Sequence, residues 1–468
     1  MSCFLGGALK TNPSFYMIIY QVECYAKTKV MHKYRSYTLS NFREIPQIDK
    51  LSEEQKFVIE VVGTVLPFKV SNYIIDQLID WDDFEDDPFF ILNFPQRGML
   101  SEDRFQRIAH LLKSNADKAK LKKAIDEIRL QLNPNPAGQE SNVPIMDGIR
   151  LNGIQHKYRE TMLFFPSQGQ TCHAYCTFCF RWPQFALNSF KFAMKEADLL
   201  VRYLKQHPEI TDVLMTGGDP AVMSTRIFEH YFDAILDAGL DHIKTIRIGT
   251  KALTYWPYRF TEDKDAGELL RLFEKMKKRG INIALMAHFN HPRALETKAV
   301  RKAIGNLRAA GVQIRAQSPL LKHINADPDI WAKLWREEVN QGIIPYYMFV
   351  ARNTGAQDYF AVTLEEAWQI YQKAIQQVSG ICRTVRGPSM SCAPGKIQIV
   401  GTQKVKGEKV FVLNFLQGRN PDWVSRPFFA RYNPDAIWLD DLEPAFGEEQ
   451  FFFEKADLKV HYQPKARV

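Results

Sequence analysis

The sequence predicts an α/β fold: a partial parallel βα barrel with a mostly helical N-terminal region and an aromatic-rich C-terminal extension. Three observations carry this expectation. Short apolar runs recur at residues 162–165, 212–216, 243–248, 282–287, 312–316 and 346–350, each of the kind buried in a parallel sheet. Helical patterns lie between them, such as Ala197, Leu200, Val201 and Leu204 at i, i+3, i+4 and i+7, with Lys195, Glu196 and Arg202 on the other face. Chemically distinctive clusters then follow the runs, where a parallel barrel gathers its reactive rim.

The flanks are read in the same way. Before about residue 151 the chain is expected to be mostly helical, as in Phe105, Ile108, Leu111 and Leu112 at near-helical spacing. Pro134, Pro136 and Gly138 mark a linker before the barrel. After the barrel the aromatics crowd together, with Phe411, Phe415, Trp423, Phe428, Phe429, Tyr432, Trp438 and a run of three phenylalanines from Phe451. That density suits a packed β-rich extension or a subunit contact. The expected regions are 1–150, 151–385 and 386–468, and a homo-oligomer is expected.

Composition narrows the class. The chain has 468 residues, 46% of them hydrophobic, with 61 basic and 53 acidic side chains for a net charge of +8. The basic residues are interspersed with acids, which favours small anionic ligands slightly and argues against nucleic acid. No apolar run reaches the ~20 residues that span a bilayer, and residues 15–20 are too short for a signal peptide. A cytoplasmic location without membrane contact is expected. Seven cysteines in so long a chain do not make a disulfide framework.

Three of those cysteines stand in Thr171-Cys-His-Ala-Tyr-Cys-Thr-Phe-Cys-Phe-Arg181. Cys172, Cys176 and Cys179 form a CxxxCxxC triplet that can hold three corners of a 4Fe-4S cube and leave the fourth iron without a protein ligand. A zinc site would need a second ligand pair, and only His173 is near. Cys3, Cys24, Cys382 and Cys392 read as ordinary buried thiols. After the second strand comes Thr216-Gly-Gly-Asp219, in which Gly217 and Gly218 let the backbone approach a ligand and Asp219 can accept from an ammonium group. Alone it would be an ordinary turn. After the third, Arg247-Ile-Gly-Thr250 offers a guanidinium for a carboxylate or ribose. After the fourth, His288-Phe-Asn-His-Pro292 clusters two imidazoles with an amide, and after the fifth Gln317-Ser318 adds an amide and a hydroxyl.

In this order, with Pro345-Tyr-Tyr347 after them, these motifs resemble the lysine 2,3-aminomutase family of radical S-adenosylmethionine (SAM) proteins, from about His156 to about Lys396. The resemblance implies that SAM chelates the open iron and that its reductive cleavage yields a 5'-deoxyadenosyl radical. It assigns Gly217, Gly218, Asp219, Arg247, His288 and Gln317 to the cofactor. The best-known members use pyridoxal 5'-phosphate (PLP) to move an amino group to the adjacent carbon. Accordingly, Arg181 matches the arginine that pairs with the substrate carboxylate, and Lys157 and Tyr158 match the segment that contacts the PLP phosphate. Lys396, in Ala393-Pro-Gly-Lys396, matches the lysine that forms the PLP Schiff base.

The chain also departs from the family. Thr161 replaces a second arginine of the phosphate segment, Phe178 stands where lysine-handling members have histidine, and the glycine-rich approach to Lys396 is shortened. Arg352 and Cys392 stand where those members place carboxylates around the substrate ammonium. An arginine there would repel a lysine side chain and attract an anion, so the expected substrate is a small amino-acid-like molecule other than lysine. A low-potential electron donor such as flavodoxin or ferredoxin is implied. The alternatives are a PLP-independent radical SAM enzyme acting on another small metabolite, and an iron–sulfur electron-transfer or sensor protein.

Overall fold

A computed structural model describes residues 32–133, 141–186 and 192–454. Cys3, Cys24, the stretch 15–20 and the linker signals at Pro134, Pro136 and Gly138 lie outside them. The chain divides into two compact units, Met1–Lys33 and Tyr34–Val468, and the second holds the sheet and its helices.

All six expected strands are present. They belong to an eleven-stranded sheet whose strands lie in chain order: β1 (Ile154–Tyr158), β2 (Thr161–Phe164), β3 (Asp212–Met215), β4 (Thr245–Thr250), β5 (Asn282–His288), β6 (Gln313–Leu320), β7 (Ile344–Val350), β8 (Arg386–Ser391), β9 (Gly395–Val405), β10 (Glu408–Gly418) and β11 (Pro427–Arg431). Pairing is parallel from β2 through β8 and antiparallel at β1–β2 and from β8 to β11. Each parallel step is spanned by a helix, as right-handed crossovers require.

The longer N-terminal helices are α1 (Glu53–Val65), α2 (Glu102–Lys113) and α3 (Lys118–Gln131), with short ones at Asn72–Gln77 and Pro88–Asn93. The crossover helices are α4 (Ala197–Gln206), α5 (Thr225–Asp237), α6 (Ala266–Lys278), α7 (Lys298–Ala309), α8 (Pro328–Asn340) and α9 (Leu364–Gln376). Their apolar stripes supply the packing: on α6, Leu269, Leu272, Phe273 and Met276 are buried while Lys275, Lys277 and Lys278 end the helix, where cations suit the carbonyl end of the helix dipole.

One core joins the N-terminal helices to the barrel and a second fills the C-terminal extension. In the latter, Phe415, Trp423, Phe428, Phe451 and Phe453 meet at ring distances between 5.2 and 6.3 Å, so the aromatic density builds a β-rich core. The sheet ends at β1 and β11, so the barrel is partial. Lys157 of β1 donates to the Cys392 carbonyl after β8, and Arg419 donates to the Ala393 carbonyl at 2.8 Å and to Asn142. These contacts bring the two lips of the curved sheet together around one interior.

Two expectations are corrected. Arg247–Thr250 lies within β4, and Gln317 and Ser318 lie within β6. The strands run on because their polar side chains face a cavity: Arg247 and Gly249 line it and alternate with buried Ile246 and Ile248 on the opposite face of the strand.

Candidate active site

The cysteine loop follows β2, and the N-terminal region grips it. Tyr34 Oη donates to the His173 carbonyl at 2.6 Å and Lys69 Nζ to the Cys172 carbonyl at 2.7 Å. The Tyr175 N–H donates to Lys69 O at 2.8 Å, and Thr177 donates through N to Leu92 and through Oγ1 to Ile91. Cys172, Cys176 and Cys179 are free thiols lining one cavity of about 310 Å³. Burial pushes the Cys172 thiol well up, with Asp219 and the other two thiols adding to it, and pushes Cys179 up to about 12.

Among the described residues no three His, Cys, Asp or Glu side chains converge on a point that would hold a single metal ion. Three cysteines in a CxxxCxxC loop that line one cavity fit a multi-iron cluster better than a lone zinc. His173 is no fourth ligand. It packs edge-on against Tyr34, is buried, and does not line the cavity.

Gly217 and Gly218 line the cysteine cavity, and the same loop packs on the chain leading into it. Gly217 has φ +139°, and a Cβ there would lie 2.2 Å from Gln170 Nε2. A Cβ on Gly218 would lie 2.5 Å from the Thr171 carbonyl oxygen. The glycines therefore let this loop lie directly on the segment leading into Cys172. Asp219 is buried, and its oxygens accept the N–H groups of Ala221 and Lys251, each at 2.9 Å. It ties the loop to the end of β4, and burial raises its carboxyl to about 6.

Arg247 and His288 line the cavity, but neither is simply available. Arg247 is paired with Asp212 at 2.6 Å. His288 Nε2 lies 3.4 Å from Gln317 Nε2, and burial pushes its imidazole down to about 3. His288 Nδ1 is buried without a protein partner. His291, the second imidazole of its cluster, packs against Phe89 and caps the turn at Pro292–Leu295, outside the cavity.

A second cavity of about 420 Å³ adjoins the first, and Arg181, Arg247, Arg352 and Lys396 line both. Lys396 is thus no surface lysine. On β9 its ammonium stands 3.8 Å from the Tyr347 ring centroid, and burial, then Arg247, Arg386 and Lys157, hold it well below the ordinary lysine value. Lys157 and Tyr158 line the second cavity, and burial, with smaller contributions from Arg419 and Arg352, brings the Lys157 amine down to about 7. Arg181 Nη1 and Arg352 Nε are buried without protein partners. Cys392, read from sequence as an ordinary buried thiol, also lines this cavity.

Sequence reasoning missed several residues. Lys251, directly after Arg247–Thr250, lines the cysteine cavity and donates to Asn290 Oδ1 at 2.5 Å. Tyr255 donates to Cys176 Sγ at 3.5 Å. Asp440, from the C-terminal extension, reaches the cationic cavity. Of these only Lys251 carried a local signal, its place beside the arginine motif.

An Aquifex aeolicus protein provisionally named L-lysine 2,3-aminomutase is 34% identical over 301 residues, 64% of this chain and 77% of that protein. The chain belongs to the lysine 2,3-aminomutase family of radical SAM proteins. Within it the chain is divergent. The L-lysine 2,3-aminomutase of Methanococcus maripaludis is 24% identical over 73% of this chain and 67% of its own length. The glutamate 2,3-aminomutase of Clostridioides difficile is 23% identical over 90% of this chain and 84% of its own. No family model matches the chain. Among solved structures, Streptococcus suis SuiB bound to S-adenosylmethionine aligns over 59% of this chain and 57% of that one at 14% identity and a TM-score of 0.33, a likeness too slight to build on. No helix among the described residues is long and apolar enough to cross a membrane.

Proposed function

We propose that this member of the lysine 2,3-aminomutase family is a radical SAM aminomutase that uses PLP on a small amino acid carrying an anionic distal group. One observation carries the reading: the three thiols and the Lys396 amine open onto adjoining cavities lined in common by Arg181 and Arg352.

Cys172, Cys176 and Cys179 would hold a 4Fe-4S cluster, which when bound would supply the electron for reductive cleavage of SAM and so a radical able to take hydrogen from a substrate. PLP, when bound, supplies a π-system through which an amino group can pass between neighbouring carbons. Lys396 suits PLP because a neutral amine attacks an aldehyde. Lys157 and Tyr158, which line the second cavity, would contact the PLP phosphate, whose negative charge would favour the protonated form of the Lys157 amine. Arg181, with an unpartnered Nη1, is placed to hold the substrate α-carboxylate, a geometry that suits a planar guanidinium. Arg352 adds a further positive charge that a lysine side chain would oppose and an anionic one would satisfy. Phe180 lines both cavities and Phe178 the first, giving them apolar walls.

The test is whether PLP reaches Lys396. Added PLP should give an imine absorption that borohydride traps on Lys396, and Lys396→Ala should abolish it. No trapped adduct at any lysine would remove PLP from the reading and leave a PLP-independent radical SAM reaction.

A further inference from the structure

We infer that Tyr255 and Lys251 act together on the sulfur of Cys176 and raise the reduction potential of the cluster held there. The inference rests on the proposed cluster at the three thiols. Tyr255 is 1% exposed and donates its hydroxyl hydrogen to Cys176 Sγ at 3.5 Å, within the range of an O–H···S contact. It lies outside the cavity, so its hydroxyl is not directed at a substrate. Lys251 stands over the Tyr255 ring, 4.6 Å from its centroid, and 4.9 Å from that of Phe178.

The position of Lys251 is fixed from two sides. Its N–H donates to Asp219 and its ammonium to Asn290 Oδ1. Asn290 is 1% exposed and is itself held: its Nδ2 donates to Ser318 Oγ at 2.8 Å, and its carbonyl accepts from Asn325 Nδ2 at 2.9 Å. Such a chain of buried, satisfied groups keeps the charge in place.

Lys251 also acts electrostatically on Cys172 and Cys179, but among the thiols its side-chain hydrogen bond is to Cys176, the one that Tyr255 also reaches. Cys179 receives a backbone N–H from Arg181, and Lys69 reaches the carbonyl of Cys172.

One-electron reduction, supplied by a low-potential donor, adds negative charge to the irons and sulfurs. A hydrogen bond to a ligating thiolate and a fixed cation beside it both stabilise that reduced form, most effectively where water is excluded. Tyr255 and Lys251 are therefore positioning residues that act through Cys176 on the ease of electron entry.

The experiment is an anaerobic redox titration with electron paramagnetic resonance detection on reconstituted wild type, Tyr255→Phe, Lys251→Met and Lys251→Arg. Midpoints of Tyr255→Phe and Lys251→Met should move to more negative potential, the Lys251→Met shift by at least the 59 mV that equals about tenfold in the one-electron equilibrium. Lys251→Arg should stay near wild type. An unchanged midpoint in cluster-loaded Tyr255→Phe overturns the inference. That variant loses one oxygen and no carbon, so it decides the matter even if Lys251→Met does not load. Wild type that takes up no cluster would overturn the cluster reading itself, a separate result.

Discussion

Lys396 Nζ stands 3.8 Å from the centroid of the Tyr347 ring, reaching across β8 from β9 to β7. A ring face stabilises a cation by about 0.5–2 kcal/mol. Burial and the neighbouring Arg247, Arg386 and Lys157 outweigh it and leave the amine well below its ordinary value. Lys396 should therefore react with PLP and borohydride at pH 7.5 ahead of exposed lysines. Between pH 7.5 and 9 its labelling should rise less steeply than theirs, which follows their growing neutral fraction. Peptide mapping by mass spectrometry reads this directly, and parallel pH profiles would show an ordinary amine.

The triplet alone should hold the cluster. Cys172→Ala, Cys176→Ala or Cys179→Ala should each remove most reconstituted iron and the 4Fe-4S absorption. Cys382→Ala and Cys392→Ala should retain both, since Cys382 is buried in the main core and Cys392 lies in the cationic cavity. Iron and sulfide assays check this, and a full cluster in the triple variant would refute it.

Lys157 gives a pH signature. Its amine titrates near 7 in the fold against an ordinary 10.5. Between those values the unfolded chain carries a proton that the folded one lacks, so stability falls as pH drops from about 10.5 to about 7 and then levels off. Melting temperatures of the ligand-free protein should therefore gain less from a rise from pH 7.5 to 9.5 in Lys157→Met than in wild type. A phosphate ligand should favour the protonated amine, so PLP should bind more weakly as pH rises above 7. Identical pH slopes in wild type and Lys157→Met would contradict this.

Arg352 should exclude lysine. At an effective dielectric of about 20, like charges ~4 Å apart cost about 4 kcal/mol, near a thousandfold in binding. Wild type should form no β-lysine, and amino acids with a distal carboxylate or phosphate should turn over in its place. Arg352→Ala should weaken those substrates by tenfold or more in KM. Efficient lysine turnover by wild type, measured by chromatography of products, would show that this guanidinium does not face the substrate.

Much of the barrel is legible in the sequence because parallel strands with crossover helices leave local traces: apolar runs, 3.6-residue periodicity and motifs in barrel order. The C-terminal ends of β4 and β6 are not, because Gly249 and Gln317 interrupt the apolar run, and such a residue inside a strand reads as a strand end when its partner face cannot be seen. Gly217 and Gly218 do line the cavity, but their close packing on Gln170 and Thr171 is brought about by the fold and leaves no trace in the sequence. Tyr255, Lys69 and Asp440 leave no local signal. Tyr255 reaches a residue 79 positions away, and Lys69 one 103 away, and such contacts are set by tertiary packing.

The most direct test of the central claim is SAM cleavage. Protein with a full 4Fe-4S complement, reduced by a strong one-electron donor and given SAM, should release 5'-deoxyadenosine and methionine, and Cys176→Ala should release neither. A fully loaded, reduced wild type that leaves SAM intact would contradict the enzyme reading and point to electron transfer or sensing in its place.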